Sequence, residues 1–221
     1  MSRHGAPLAL ATLSLALAGG VAIMAWRAAS ARPVLVAYSD DSAFGAPTAS
    51  NASVAVLAGG CYWGMEYVFD HVRGVRRVTS GYAIPVTENG ERFAGSAEAV
   101  RIEYDSTRVS YHRLLEIFFT VAHDPTQLNR QGPDVGPNYR SIVFPRSEAQ
   151  RELVRAYIDS LDDARSYPRA IVTQVAPLES FHAADPSEQR YAERHPHSPY
   201  IVINDVRKVR ALKARFPESY R

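Results

Sequence analysis

Residues 57–70, LAGGCYWGMEYVFD, hold the only cysteine in a chain of 221 residues. Cys61 follows Gly59-Gly60 at the end of an apolar run, and Met65, Val68, Phe69 and Val72 recur after it at helical spacing. A strand that ends in two glycines and feeds a helix places this thiol in the helix's first turn. Free backbone N–H groups and the positive end of the helix dipole favour thiolate over thiol there. The glycines permit close backbone approach and leave space above the sulfur. Tyr62 and Trp63 follow directly, and from the segment alone they read equally well as the wall of an apolar pocket or as core. A thiolate so placed is a nucleophile, and the rest of the chain must show what electrophile it would meet.

One cysteine excludes an intramolecular disulfide framework and any CxxC redox or zinc site. The formal net charge is +2, with 46% hydrophobic and 22% charged residues. That is the balance of an ordinary globular protein, with no basic stripe suited to nucleic acid. Arg101 and Arg108 beside a strand, and Arg207, Lys208, Arg210, Lys213 and Arg215 on a helix, read as solvated faces. His195 and His197 lie in a loop and read as solvated too, so no metal site is expected.

The N-terminal stretch differs. Arg3 and His4 precede an uncharged, mostly apolar run from Ala6 to Trp26, which ends at Arg27. Residues 1–31 therefore read as a signal peptide, with Ala29-Ser30-Ala31 as its cleavage pattern, or as a retained membrane anchor. Either reading expects an exported protein, periplasmic or membrane-anchored, with its folded domain outside the cytoplasm. Residues 32–52 mix small, polar and proline residues without periodicity and read as a linker. The folded domain is expected over 53–221.

Within it, Val54–Ala58 reads as a buried strand, followed by the Cys61 helix, which Gly74 stops. Val75–Tyr82 and Ala97–Tyr104 read as strands, and Tyr111–Ala122 as a helix striped by Leu114, Leu115, Phe118 and Phe119. Residues 123–140, rich in proline and glycine, read as one long loop of functional kind. Ser141–Phe144 is expected as a strand, Glu148–Leu161 as a helix and Ala170–Ala176 as a strand. The order β-α-β-β-α-β-α-β predicts an α/β (α+β) fold with a ferredoxin-like split βαβ core: a mixed sheet, helices packed on it, and long irregular loops.

GGCYWGMEYVF resembles the signature of the A-type peptide methionine sulfoxide reductases, in which a nucleophilic cysteine lies in a Gly-Cys-Phe-Trp-Gly-type motif. The resemblance continues through GVRRVTSGYA (74–83), GSAEAVRIEYD (95–105), FFTVAHDPTQLNRQGPDVGPNYRSIVF (118–144) and SPYIVINDVRKVRALKARFP (198–217). It implies that Cys61 is the nucleophile and Glu98 the acid. Tyr82 and Tyr139 would hold the sulfoxide oxygen, and Asp134 would be a buried aspartate of the same polar network. Tyr62 and Trp63 would enclose the substrate methyl group. The chemistry demands such a set, because a sulfoxide sulfur becomes a good electrophile only when its oxygen is protonated or strongly hydrogen-bonded. Glu98 could serve as acid only with a raised pKa obtained by burial.

The implied reaction reduces methionine S-sulfoxide, free or in oxidised proteins, and leaves Cys61 as a sulfenic acid. No bound cofactor is implied. With no second cysteine, the reset must come from an external thiol: a thioredoxin-type protein, or glutathione with glutaredoxin. A monomer is expected. The chain departs from the family pattern at Tyr62 (for phenylalanine), at Ser96 (for histidine), and at Ile84-Pro85 (for Gly-Gly), where the segment to Gly95 is also short. Glu188, Gln189 and Tyr191 read as the remains of an Ala-Glu-x-Tyr-His-Gln segment. Two alternatives stand beside the reductase. One is a non-catalytic, membrane-anchored peptide-binding module; the other is a cysteine acyl hydrolase with His123 or His182 as base.

Overall fold

The computed structural model describes residues 52–93 and 95–221. The expected leader or anchor, and all of the expected linker except Ala52, lie outside the described residues. In chain order the elements are β1 (Ala52–Gly59), α1 (Tyr62–Asp70), β2 (Val75–Pro85), β3 (Ala97–Asp105), α2 (Tyr111–Ile117), β4 (Arg130–Gln131) and β5 (Asp134–Val135). They continue with β6 (Ser141–Phe144), α3 (Glu148–Asp163), β7 (Gln174–Val175), β8 (Leu178–Ala183), α4 (Tyr191–Arg194), α5 (Pro199–Asn204) and α6 (Val206–Arg215).

The main sheet has the order β7-β6-β1-β3-β2-β8. Its four inner strands, β6-β1-β3-β2, pair antiparallel throughout. β1 and β2, joined through α1, therefore run parallel with β3 between them, which is the split βαβ arrangement expected from the sequence. β8 extends the β2 edge antiparallel and β7 extends the β6 edge parallel, so the sheet is mixed.

Alternation along β1 and β3 divides the core into two sides. Ala55, Leu57, Val100 and Ile102 face the helices with Met65, Phe69, Leu114 and Phe118, while Val56, Ala58, Ala97 and Ala99 face the other way with Ile142 and Phe144. β1 is buried on both sides, which is why its sequence is continuously apolar. By the same parity Glu98 shares the helix side with Val100, and its register partner across β2 is Tyr82.

Three expectations need correction. The helix expected to Ala122 is α-helical only to Ile117 and then widens into a π turn over Phe118–Ala122. A wide turn frees carbonyls, and side chains take them up. His123 Nδ1 bonds Phe118 O at 2.9 Å, Tyr167 Oη donates to Phe119 O at 2.5 Å, and Arg215 Nη1 donates to Thr120 O at 2.6 Å. The 123–140 loop is not wholly irregular. It contains the β4–β5 hairpin and a 3-10 turn over Pro137–Tyr139, held by local bonds from Asp124, Gln127 and Gln131 that periodicity does not reveal. The strand expected over 170–176 pairs only at Gln174–Val175, and β8 lacks the alternation that would have announced it.

Lys208 also departs from the solvated-face reading. It turns inward to Asp205, which is 1% exposed, with Nζ and Oδ1 3.1 Å apart. The carboxylate is seated against Gly64 in the first turn of α1, where a Cβ would stand 2.1 Å from Asp205 Oδ1 and 2.6 Å from Lys208 Nζ. Gly64→Ala should therefore lower unfolding stability by about 1–3 kcal/mol in a denaturant titration, although alanine is the better helix former.

Candidate active site

Cys61 lies one residue earlier than expected, as the residue that caps α1, with φ −51° and ψ 124°. The glycines before it do something other than clear space above the sulfur. Gly60 has φ +93°, and a Cβ there would stand 2.4 Å from Gln131 Cβ, so its bare backbone seats the β4–β5 hairpin. A Cβ on Gly59 would lie 3.0 Å from each of His123, Met65 and Phe118. Both glycines let other segments close in beneath the thiol.

The thiol's electrostatics also reverse the expectation. The Trp63 N–H and the Tyr200 hydroxyl both bond to the Cys61 sulfur and favour thiolate. Burial, and then the charge of Glu98, outweigh them and push the Cys61 thiol up to about 12, with Asp205 adding to the rise. In the substrate-free protein Cys61 is a neutral thiol, held by groups that would stabilise its anion.

Glu98 reaches the same spot from β3. Its Oε2 accepts the Tyr62 N–H at 3.1 Å, a free donor of the first turn of α1. Burial pushes Glu98 up to about 7. The Tyr62 N–H opposes this shift, and the charges of Asp134 and Glu188 reinforce it. Tyr82 stands opposite Glu98 in the sheet, its hydroxyl 3.4 Å from that of Tyr62. Tyr139 lies in the 3-10 turn, and burial followed by the charges of Glu98, Asp134 and Cys61 raises its phenol. Arg140, only 6% exposed, fixes that turn against the start of β3 by donating to Pro137 O at 2.5 Å and to Gly95 O and Ser96 O at 3.1 Å. The structure thus brings Cys61, Glu98, Tyr82 and Tyr139 into one mutual field. Asp134, expected to be buried, is half-buried on the hairpin, where its Oδ2 accepts the Tyr200 hydroxyl at 2.5 Å.

The aromatic pair divides its work. Tyr62 is 5% exposed, and its ring packs at an edge on Tyr82, 5.7 Å between centroids. Trp63 stands more open, its face stacked on Tyr191 at 3.9 Å and its ring 5.7 Å from Tyr200 at 85°. Its indole N–H donates to Glu188 Oε2 at 2.9 Å.

Tyr200 falls within the 198–217 block but is given no role by the sequence, yet it bonds Cys61 and Asp134 and packs at an edge on Trp63. Glu66 was passed over as well. Buried on the inner face of α1, it accepts the Ser80 hydroxyl at 2.9 Å and the Arg190 N–H at 2.8 Å. Gln189 bonds the Ser80 backbone through both its side-chain oxygen and its side-chain nitrogen, each at 2.9 Å. Together they hold the segment that presents Glu188 and Tyr191 to Trp63. A charged residue inside an apolar helical stripe, as at Glu66, was the available sign.

Neither His123 nor His182 is arranged as a base for Cys61. His123 is buried under Gly59, its Nε2 2.7 Å from Ser141 Oγ, and burial pushes its pKa down to about 4. His182 pairs with Ser180 on an exposed edge. Among the described residues no group of His, Cys, Asp and Glu is placed to hold a metal ion.

Comparison with known proteins adds an independent line. The sequence profile of the family described as "Peptide methionine sulfoxide reductase" matches residues 53–220. Peptide methionine sulfoxide reductase MsrA 2 of Mesorhizobium japonicum is 43% identical over 178 residues, spanning 78% of this chain and 91% of the relative. Peptide methionine sulfoxide reductase MsrA of Natronomonas pharaonis is 46% identical over 173 residues, 76% and 97% of the two chains. Among solved structures, methionine sulfoxide reductase A of Corynebacterium diphtheriae superposes with a TM-score of 0.54 at 28% identity, covering 71% of this chain and 80% of its own.

The raised thiol is directly testable by alkylation. Iodoacetamide should react slowly with Cys61 at neutral pH and faster with each step in pH, without a plateau below about pH 10. Glu98→Gln removes a charge that raises the thiol and should speed the reaction at neutral pH several-fold. Tyr200→Phe removes a bond that lowers it and should slow the reaction.

Proposed function

This chain belongs to the peptide methionine sulfoxide reductase family, and on that premise we propose that it reduces methionine S-sulfoxide with Cys61 as nucleophile and Glu98 as acid. The observation that carries the mechanism is the Tyr62 N–H bond to Glu98 Oε2, which holds a carboxyl with a pKa near neutrality beside the only thiol. The sulfoxide oxygen is placed among the Glu98 carboxyl and the hydroxyls of Tyr82 and Tyr139, and the methyl group against Tyr62 and Trp63. Protonated Glu98 donates to the oxygen, and the Cys61 sulfur bonds the sulfoxide sulfur, which its hydrogen-bonded oxygen has made electrophilic. The new sulfur–sulfur bond and the sulfoxide S–O bond then break as the hydroxyl passes to the Cys61 sulfur. The methionine sulfur gains two electrons, Cys61 loses two and becomes a sulfenic acid, and the thiol's own proton replaces the one given by Glu98.

Protonating Glu98 has a second effect. Its charge is one of the causes that hold the thiol up, so the same proton that readies the acid also eases formation of the thiolate. Acid and nucleophile are prepared together.

Regeneration uses two equivalents of external thiol. The first attacks the sulfenic sulfur and releases water; the second resolves the mixed disulfide and restores Cys61. A thioredoxin-type protein, or glutathione with glutaredoxin, has the required chemistry. The support is the absence of a second cysteine from the sequence. Export, with the domain working outside the cytoplasm, is supported by the apolar run from Ala6 to Trp26, and cell fractionation is its check.

Mixed with methionine S-sulfoxide and no reductant, the protein should release one methionine per chain and become labelled by dimedone at Cys61. With excess dithiothreitol it should turn over. Cys61→Ser should be inert, and residual turnover in that variant would refute the mechanism. Sulfoxide peptide binding without any turnover by the unmodified protein would instead favour a binding module. The acid form of Glu98 is lost as pH rises through about 7, so kcat/KM should fall on the alkaline side with that midpoint. Glu98→Gln should lack this limb and lose about 100-fold or more in rate.

A further inference from the structure

The mouth of the site carries more negative charge than the reduction uses. Glu188 Oε2 accepts the Trp63 indole N–H at 2.9 Å and the Tyr62 hydroxyl at 3.4 Å. On the other flank of the Trp63 ring, Asp134 Oδ2 accepts from Tyr200 at 2.5 Å. All of these donors are neutral, so they orient the carboxylates without cancelling their charge. The basic side chains nearest in sequence to Glu188 are engaged elsewhere. Arg190 pairs with Glu193, and Arg194 donates to the backbone oxygens of Ser187 and Gln189. Both acids are half-buried, and both act on Glu98, so they lie within electrostatic reach of the reacting oxygen. Between them stand the faces and edges of Trp63, Tyr191 and Tyr200, surfaces that themselves attract cations.

We propose that Glu188 is a specificity-determining residue which, together with Asp134, makes the site select oxidised methionines that carry a cationic nitrogen beside the sulfoxide side chain. That nitrogen is either an α-ammonium, free or N-terminal, or a neighbouring Lys or Arg side chain. Cys61 and Glu98 define the site, and the two outer carboxylates set its preference among substrates. A positive group entering the mouth restores neutrality to a half-desolvated acidic pair, whereas an acidic neighbour adds a third like charge. The inference rests on the reductase reading.

The test compares kcat/KM of the purified full-length chain, with dithiothreitol, on two acetylated peptides that differ only in Lys or Glu next to the methionine S-sulfoxide. At low salt the lysyl peptide should be favoured about five-fold, the effect of exchanging a positive for a negative unit charge at about 8 Å in water. The preference should shrink towards parity in about 0.5 M salt. Glu188→Gln keeps an acceptor for the indole N–H while removing the charge, and should cut the lysyl-to-glutamyl ratio several-fold; Glu188→Asp should retain it. Because the readout is a ratio, a general loss of activity in either variant does not disguise the result. Free against N-acetylated methionine S-sulfoxide separates the two sources of positive charge: a preference for the free amino acid assigns the α-ammonium, and a preference confined to the peptides assigns the side chain. Equal kcat/KM for all substrates of the unmodified protein, or a ratio unchanged in Glu188→Gln, would overturn the proposal. No turnover of any sulfoxide would sink the underlying reductase reading instead.

Discussion

The bond from the Tyr62 N–H to Glu98 is the constraint on which the rest of the site depends. It fastens the start of β3 to the start of α1 and so sets the carboxyl beside the thiol. The two groups then share one poorly solvated volume, where burial resists ionisation of both and the charge of Glu98 resists it further at the thiol. A thiol at an open helix start would ionise readily, whereas here burial outweighs the bonds that favour its anion. Thiol and carboxyl are both held towards their neutral forms, and the thiol ionises more readily while Glu98 still carries the proton that it offers to the substrate oxygen. A thiol held neutral is guarded from chance oxidation, which attacks the thiolate.

Holding that pair requires segments far apart in sequence, and each is secured by a specific close approach. Gln131 sits on the bare backbone of Gly60 and brings in the hairpin with Asp134. Arg140 spends its guanidinium on the carbonyls of Gly95, Ser96 and Pro137, and so locks Tyr139 to the strand that carries Glu98. Glu66, Ser80 and Gln189 clasp the segment that ends in Tyr191. Asp205 enters against Gly64 and ties α6 to the first turn of α1. Each clasp lies just behind a residue of the site, so the positioning is done by buried polar groups more than by the apolar core.

This division explains what could be read from the sequence. The continuous apolar run Val54–Ala58 and the alternation along Ala97–Tyr104 report buried strands, and they announced the inner sheet. The Cys61 segment and its motif partners were legible because their residue types are rare in combination. The clasps were not legible. Gly60 and Gly64 look like ordinary flexible glycines until Gln131 and Asp205 occupy the space where their side chains would be. The thiol's ionisation was misjudged for a related reason. The helix start is visible in the sequence, but the burial that opposes it, and the carboxylates of residues 98 and 205 that add to it, arrive through folding alone.

Tyr200 shows how far this non-local logic extends. Its hydroxyl bonds to both the Cys61 sulfur and the Asp134 carboxylate, and burial raises its own pKa, so it remains a proton donor throughout the neutral range. A donor shared between thiol and carboxylate can turn towards whichever bears the greater charge. While Cys61 is neutral, the Asp134 carboxylate is the better acceptor; once a thiolate forms, the balance shifts towards sulfur. On the proposed mechanism this makes Tyr200 part of the answer to how a buried thiol can ionise at all. The anion is met by the Trp63 N–H and the Tyr200 hydroxyl, both in place before the substrate arrives, so little reorganisation is needed when the charge appears.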